Sequence, residues 1–338
     1  MGQAGHLEVA SPDKKTELNA RREKMFKISI LRILLILMIF CTAAFAETGD
    51  GGYAGPFLQL GFGARALGMG GAFVAVADDA TGGFFNPAGL VQITKRTFGA
   101  FYRKMTLDRR LSYFIYNQPI RDEATIAVSW VNAGVGDVMG RDSDGNITGE
   151  ISNYQNAVQL FLGRKILDQL SVGLGIEYIQ YNLANISAYG VGFGFSAMGR
   201  PIPEFRLGVA VENLGMKYSW TSGDYWKRHD PDLLGSSGTE EFPFNLRFGA
   251  SYLLLDGRVL LSSELDKNEK QEAKIHLGVE GWALENVAGR IGYDRGSLTF
   301  GLGLRHRIQT AVLGFDYAFI TSRVEDDADH LISLQFEF

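Results

Sequence analysis

The residue types that carry enzymatic chemistry are scattered along this 338-residue chain. Beyond the first fifty residues the histidines are His229, His276, His306 and His330, and none belongs to an HExxH pair. The sequence contains no Gly-x-Ser-x-Gly nucleophile elbow and no phosphate-binding loop. We therefore predict no enzyme, no catalytic residue, no cofactor and no metal site.

Two short motifs imitate ligand sites. Gly61-x-Gly63-x-x-Ala66 has the spacing of a dinucleotide-binding loop, but that loop needs a βαβ unit, and strand patterns follow here. The run Asp142-Ser-Asp-Gly-Asn-Ile-Thr-Gly-Glu150 has oxygen ligands at alternating positions, as a calcium loop does. It lacks one early acidic ligand and the flanking helices, and Asp-Gly is a common turn pair. A solvated loop is favoured over a calcium site, and both remain open.

Charged residues of both signs recur on one side of segments whose other side is apolar. Unpaired charge away from water is costly, so the mixture of signs predicts ion pairs among these residues. Glu177, Arg247, Arg290 and Arg305 are the principal inward-facing candidates. The wider set also contains Glu212, Glu264, His276, Glu280, Asp294, Asp316 and Glu337.

Strict alternation of apolar and polar residues runs through most of the chain and predicts strands. In 298–305, for example, four large apolar residues alternate with threonine, two glycines and arginine. The fourteen predicted strands are 94–104, 111–120, 124–135, 152–165, 169–183, 186–199, 204–214, 243–254, 257–267, 273–283, 286–295, 297–308, 310–321 and 329–338.

The less apolar face of these strands is rich in glycine, of which the chain has 42. Glycine weakens a strand that faces bulk water, but it suits a crowded barrel interior. An apolar outer band around a small and polar interior is typical of a transmembrane barrel. We therefore predict an all-β fold, with residues 94–338 forming an antiparallel transmembrane barrel. One cysteine excludes a disulfide scaffold, and a net charge of −5 argues against a nucleic-acid partner.

The connections between the predicted strands support a bacterial outer-membrane location. The long ones, 136–151, 215–242, 268–272 and 322–328, all follow odd-numbered strands and so lie at one end. Outer-membrane barrels have long extracellular loops and short periplasmic turns. The last strand ends on Phe338, which resembles the terminal signal of such barrels.

The first 46 residues are predicted to be an extension and a cleaved signal peptide. From Met25 a basic start leads into an apolar run that ends at Ala44-Phe45-Ala46, a small-x-small cleavage site. The apolar run is shorter than the roughly 20 residues that span a bilayer. Translation from either Met1 or Met25 is compatible with this pattern.

Residues 47–93 do not alternate, and their motifs resemble a known family. The run Leu60-Gly-Phe-Gly-Ala-Arg-Ala-Leu-Gly-Met-Gly-Gly-Ala-Phe73, then Ala77-Asp-Asp-Ala-Thr81 and Asn86-Pro-Ala-Gly-Leu90, resembles the N-terminal region of PorV/PorQ family proteins. That family is similar to the FadL family of hydrophobic-compound transporters. The likeness extends to Val211-Glu-Asn-Leu-Gly215 and Asp316-Tyr-Ala-Phe319.

The resemblance implies that residues 47–93 fold inside the barrel as a hatch. In FadL-like proteins the hatch carries an Asn-Pro-Ala motif, which Asn86, Pro87 and Ala88 match here. Arg65, Asp78 and Asp79 are then expected to pair with inward-facing charges such as Glu177, Arg247 and Arg290. A purely structural plug is the alternative to a gate.

Two functions follow from the resemblance, with different partners. The first is a plugged channel for hydrophobic small molecules in outer-membrane lipid. The second is an accessory barrel for protein secretion and surface attachment, which would bind exported proteins. Aromatic residues in loop 215–242 suit either a membrane-interface girdle or a surface that captures a ligand or protein. These are Tyr218, Trp220, Tyr225, Trp226 and Phe242.

Overall fold

The structure is a computed structural model that describes residues 54–105, 107–136, 138–184, 186–221, 237–321 and 328–338. The predicted leader, its cleavage site and the aromatic residues Tyr225 and Trp226 lie outside these ranges. Among the described residues, no helix has both the length and the apolar character needed to cross a membrane.

Fourteen antiparallel strands form a closed barrel, as the alternation predicts. The main sheet has sixteen strands, and two of them belong to an added hairpin. The barrel strands are β1 (Thr97–Lys104), β2 (Arg109–Ile120), β3 (Ala124–Val135), β4 (Asn153–Leu167), β5 (Leu170–Leu183), β6 (Ile186–Ile202), β7 (Phe205–Leu214), β8 (Asn245–Leu254), β9 (Val259–Asn268), β10 (Lys274–Leu284), β11 (Val287–Asp294), β12 (Ser297–Ile308), β13 (Ala311–Ile320) and β14 (Asp329–Glu337). Strands that follow each other pair, and β14 pairs with β1 to close the wall.

The prediction of the strand ends is accurate to within three residues throughout the barrel. Side chains alternate across the wall as the pattern requires. On β12, Leu302 is 60% exposed on the outer face, whereas Thr299 on the inner face is fully buried. The outer face is therefore apolar, and the inner face carries the glycines, hydroxyls and charges.

The connections have the predicted parity. Connections after odd-numbered strands lie at one end of the barrel, which we name the loop end, and they include all the long ones. The other end, the turn end, has connections of two to four residues such as 168–169 and 255–258. Because the number of strands is even, β1 begins at the turn end and β14 ends there.

Two hairpins at the loop end were not predicted. Met139–Arg141 pairs with Ile147–Glu150 in a separate two-stranded sheet, and Lys217–Thr221 pairs with Ser237–Glu241. The second hairpin extends the wall, because Ser219 to Thr221 pair with β6.

The acidic turn of the first hairpin is closed by its own side chains. The Asp142 carboxylate accepts hydrogen bonds from the Asn146 side chain and from the backbone N–H groups of Asp144 and Asn146. The bond from the Asn146 side chain, followed by those from the backbone, lowers the pKa of Asp142 below its ordinary value. Within the described residues no group of three or more histidine, cysteine or acidic residues is placed to hold a metal ion.

Residues 54–93 contain only short helices joined by tight turns. They are the 3-10 helix Leu58–Leu60, helix α1 (Ala64–Gly68), helix α2 (Gly82–Phe85) and the 3-10 helix Pro87–Gln92. Glycine recurs throughout this stretch and interrupts its helices, because glycine costs about 1 kcal/mol relative to alanine in a helix interior. Its shape is set by the barrel residues that surround it.

Single introduced cysteines can test which end of the barrel faces out of the cell. Ser143 lies in the loop-end hairpin and Asp256 in a turn at the other end, and both are exposed. We expect Ser143→Cys to react with a membrane-impermeant maleimide on intact cells, because long loops face outward. Asp256→Cys should react only after the outer membrane is permeabilised, and the reverse pattern would invert the topology.

Candidate functional site

The N-terminal segment, residues 54–93, approaches the inner wall so closely that side chains are excluded at the contacts. A Cβ atom on Gly292 of β11 would lie 2.2 Å from the Gly70 nitrogen. A Cβ atom on Gly173 of β5 would lie 2.2 Å from the Ala88 nitrogen. Any larger residue would force the two backbones apart, so the inward glycines make room for the segment.

The Asn86-Pro87-Ala88 motif fixes the segment near β5 and β6. Asn86 is fully buried, and its side-chain oxygen accepts a hydrogen bond from the Ala88 nitrogen, which caps the helix that starts at Pro87. The side-chain nitrogen donates to the Val74 carbonyl at 2.7 Å. Ser171 of β5 donates a hydrogen bond to the Ala88 carbonyl at 2.8 Å. One side chain therefore joins two parts of the segment, and the wall holds the motif.

Arg65 makes the central ion pair between the segment and the wall. Its Nε and Nη2 atoms donate to the two carboxylate oxygens of Glu280 at 2.8 and 2.9 Å, a bidentate arrangement. Its Nη1 atom donates to Asp78 at 2.6 Å. Arg290 also donates to Glu280 at 2.6 Å. Glu280 is 2% exposed, so one buried carboxylate is shared by two guanidinium groups.

A second set of contacts holds residues 70–74. Glu264 accepts hydrogen bonds from the backbone nitrogens of Phe73 and Val74, both at 2.8 Å. The Nδ1 atom of His276 lies 2.8 Å from the Gly70 carbonyl oxygen and 3.0 Å from Asp294. These contacts satisfy backbone groups that would otherwise be buried without partners.

The other candidate residues predicted from the sequence lie in the same interior with different partners. Asp78 also contacts Arg206 at 3.3 Å, and Asp79 accepts two hydrogen bonds from Thr81. Arg305 lies 3.0 Å from Asp316. The structure pairs Arg65 with Glu280 and not with Glu177, whose carboxylate accepts a hydrogen bond from Gln159.

The described aromatic residues Tyr218, Trp220 and Phe242 form one cluster with Tyr181. Tyr218 packs against Phe242, with ring centroids 4.9 Å apart, and lies close to Trp220 and Tyr181. Phe242 in turn lies against Gly55 at the start of the N-terminal segment. Tyr218 and Phe242 are buried, so the cluster covers the inside of the loop end.

One cavity lies between the N-terminal segment and strands β4 to β8, with about 650 Å³ of empty space including its mouth. Its inner lining combines apolar groups from Leu58, Phe84, Pro87 and Phe161 with a polar group of residues. The polar lining residues are Gln59, Gln159, Glu177, Glu212, Asn213, Asn245 and Arg247.

The cavity also reaches residues on the outer face of the barrel. Ile176, Phe193 and Phe195 line it, yet their side chains are exposed on the membrane-facing side. Between them, Gly175 and Gly194 are opposed across β5 and β6, so no side chain thickens the wall there.

The backbone pairing between β6 and β7 is interrupted at the same place. Phe195 pairs with Val211 and Phe193 with Leu214, so β7 has one extra residue between these pairs. Asn213 in this bulge has a φ of 62°, which is the left-handed conformation that asparagine tolerates. The ladder leaves Gly194 without a partner on the β7 side. We name this place the wall gap; here inner-face and outer-face residues line the same cavity.

Comparison with known proteins identifies the fold. No family model matches the chain, and no curated protein matches it. Among solved structures, the Ralstonia pickettii toluene transporter TbuX matches with a TM-score of 0.57 and 15% identity, over 82% of this chain and 98% of that one. The Pseudomonas putida toluene transporter TodX gives 0.55 and 12%, over 82% and 97%. A Pseudomonas aeruginosa FadL homologue gives 0.50 and 14%, over 80% and 96%.

These structures define the class of fold, a closed fourteen-stranded barrel of the kind found in FadL-type transporters. Sequence identities of this size show a shared fold, and a shared fold does not establish a shared activity.

Replacement of the shared carboxylate should release the N-terminal segment. In Glu280→Gln, two buried guanidinium groups lose the carboxylate that they share, which we expect to destabilise the docked segment by about 3 kcal/mol. Hydrogen exchange of the amides in 64–81 should accelerate strongly, while exchange in the barrel strands stays slow.

Glu285→Gln provides the control, because Glu285 is exposed in the turn after β10. Its amide exchange should match that of the unmodified protein. Equal protection of residues 64–81 in both variants would show that the Glu280 pair does not hold the segment.

Proposed function

We propose that this protein is an outer-membrane channel for hydrophobic small molecules. The observation that carries the proposal is the wall gap, where one cavity is lined both by interior residues and by membrane-facing Ile176, Phe193 and Phe195. A porin needs no such feature, because its solutes stay in water from one end to the other. A solute that prefers hydrocarbon gains from a side passage, since it can move between the lumen and the bilayer without crossing bulk water.

The order of residues along the cavity supports such a passage. Leu58, Phe84 and Phe161 offer apolar contact inside, and the glycine pair Gly175 and Gly194 narrows the barrier to the outer face. A hydrophobic molecule that moves along this path would contact apolar side chains all the way from the interior to the lipid. The structural neighbours named as toluene transporters agree with this class of cargo.

We further propose that the N-terminal segment acts as a hatch in the lumen. Its docked form is bound to the wall through Arg65, Asn86 and the backbone of residues 70–74. It occupies the interior, so the free aqueous cross-section is small. Membership of the PorV/PorQ family remains a proposal based on the motif runs Leu60–Phe73 and Asn86–Leu90. No contact or surface of the described residues favours the secretion-accessory role.

Filling the wall gap should block passage of a hydrocarbon. Gly194→Leu places a bulky side chain beside the Val211 carbonyl oxygen, 3.2 Å from the new Cβ atom. We expect uptake of radiolabelled toluene by cells that depend on this barrel to fall about tenfold, equivalent to a barrier increase of ~1.4 kcal/mol.

Gly289→Leu is the matched control, because a Cβ atom at Gly289 meets nothing within 4 Å and lies on the outer face. Both variants should show normal heat-modifiable migration as assembled barrels. Toluene uptake that is unchanged in Gly194→Leu would refute a route through the wall gap.

The hatch proposal is tested by ion conductance. We expect the purified protein in a planar bilayer to show no large, steady, porin-like conductance, because the segment occupies the lumen. Asn86→Ala removes the side chain that joins residues 74 and 88, so toluene uptake should fall while the barrel still assembles. A porin-like conductance of the unmodified protein would exclude the plugged channel.

A further inference from the structure

The charges that line the cavity are unequal, and this imbalance bears on its ligand. Glu177, Glu212 and Arg247 are the charged residues among those that line it. Two carboxylates therefore face one guanidinium group. A cavity built for the carboxylate of a fatty acid would instead need a cation free to pair with it.

Arg247 is not free for that purpose. Its Nη2 atom lies 3.2 Å from Glu212, and its Nε atom lies 4.0 Å from Glu264. Its guanidinium carbon lies 5.5 Å from the centre of the Phe84 ring and 5.6 Å from that of Phe85. The positive charge is thus matched by two carboxylates and covered by two aromatic faces of the N-terminal segment.

The two carboxylates of the cavity keep capacity to accept hydrogen bonds. Glu177 accepts one from the Gln159 side chain at 3.0 Å, and Gln159 in turn accepts one from Ser129. No cationic side chain lies within 4.0 Å of Glu177 among the described residues. The Oε1 atom of Glu212 is buried, and the only polar side chains that the structure places against this carboxylate among the described residues are Asn245 and Arg247.

We infer that the cavity selects hydrophobic molecules whose polar end is an ammonium group or another hydrogen-bond donor, and that it disfavours carboxylates. The apolar body would lie against Leu58, Phe84 and Phe161, and the polar end would donate to Glu177 and Glu212. An anionic end would find no free cation in the cavity, because the Arg247 guanidinium already pairs with Glu212. This inference rests on the proposed function and names the substrate class of the same cavity.

Three probes of similar shape and different charge test the inference directly. Phenethylamine, phenethyl alcohol and phenylacetate share an aromatic body and differ in the polar end. Binding to the purified full-length barrel in detergent is measured by titration calorimetry, with protein-free micelles as the blank. We expect phenethylamine to bind roughly tenfold or more tightly than phenylacetate, with the alcohol between them, because a charge-assisted hydrogen bond forms only with the amine.

Removal of the two carboxylates should abolish this order. In a Glu177→Gln, Glu212→Gln variant the affinities for amine and acid should become equal within about threefold, while the alcohol changes little. Glu204→Gln, in the exposed turn between β6 and β7, should keep the original order. If the double variant does not assemble, Glu177→Gln alone should still reduce the ratio, and the order in the unmodified protein is decisive without any variant.

The outcomes separate the two proposals. Phenylacetate that binds as tightly as phenethylamine, with toluene uptake still sensitive to Gly194→Leu, overturns the substrate class and leaves the channel. Toluene uptake that is insensitive to Gly194→Leu overturns the channel, whatever the order of the probes. A failure of all three probes to bind overturns the substrate class.

Discussion

The structure depends on the need to satisfy every backbone polar group away from water. In hydrocarbon, an open sheet edge or an irregular segment facing lipid would leave N–H and C=O groups unpaired, at a cost of several kcal/mol each. The closed pairing of β14 with β1 removes the edge. The irregular residues 54–93 are tolerated because wall side chains such as Glu264 and Ser171 complete their hydrogen bonds. The same constraint makes the interrupted ladder beside Gly194 notable, since an unpaired stretch within the wall needs a compensating role.

The sequence predicts the barrel well, because the signal for each strand lies within the residues of that strand. A strand between lipid and lumen must alternate apolar side chains with polar or small ones at every position. This alternation extends over ten residues or more, so the ends of the strand can be predicted from the residues alone. The inward set of charges can be read in the same way, because it occupies the other face of each strand. The two loop-end hairpins were missed, since exposed residues such as Ile147 and Glu150 follow no alternation that burial would enforce.

The partners of those charges could not be predicted, because they depend on strand order around a closed wall and on the path of the N-terminal segment. Arg65 and Glu280 are 215 positions apart, and nothing near either residue marks the other. Glu177 belongs to the same inward set, yet it lines the cavity, and its carboxylate accepts a hydrogen bond from Gln159 of the wall. The bulge at Asn213 was also invisible, since Val211-Glu-Asn-Leu-Gly215 reads as the end of a regular strand. The alternation in the sequence therefore shows which strand face each residue occupies, and only the three-dimensional packing shows which partner it contacts.

The placement of the N-terminal segment also couples its docking to the closure of the wall. The segment precedes β1 in the chain, yet its Ala64 nitrogen donates to Ser333 on β14, across a separation of 269 positions. Its contacts reach β1 at one side of the seam and β14 at the other, through Arg103 and Ser333. Because the segment contacts both strands of the β1–β14 seam, the docked segment and the closed seam stabilise each other.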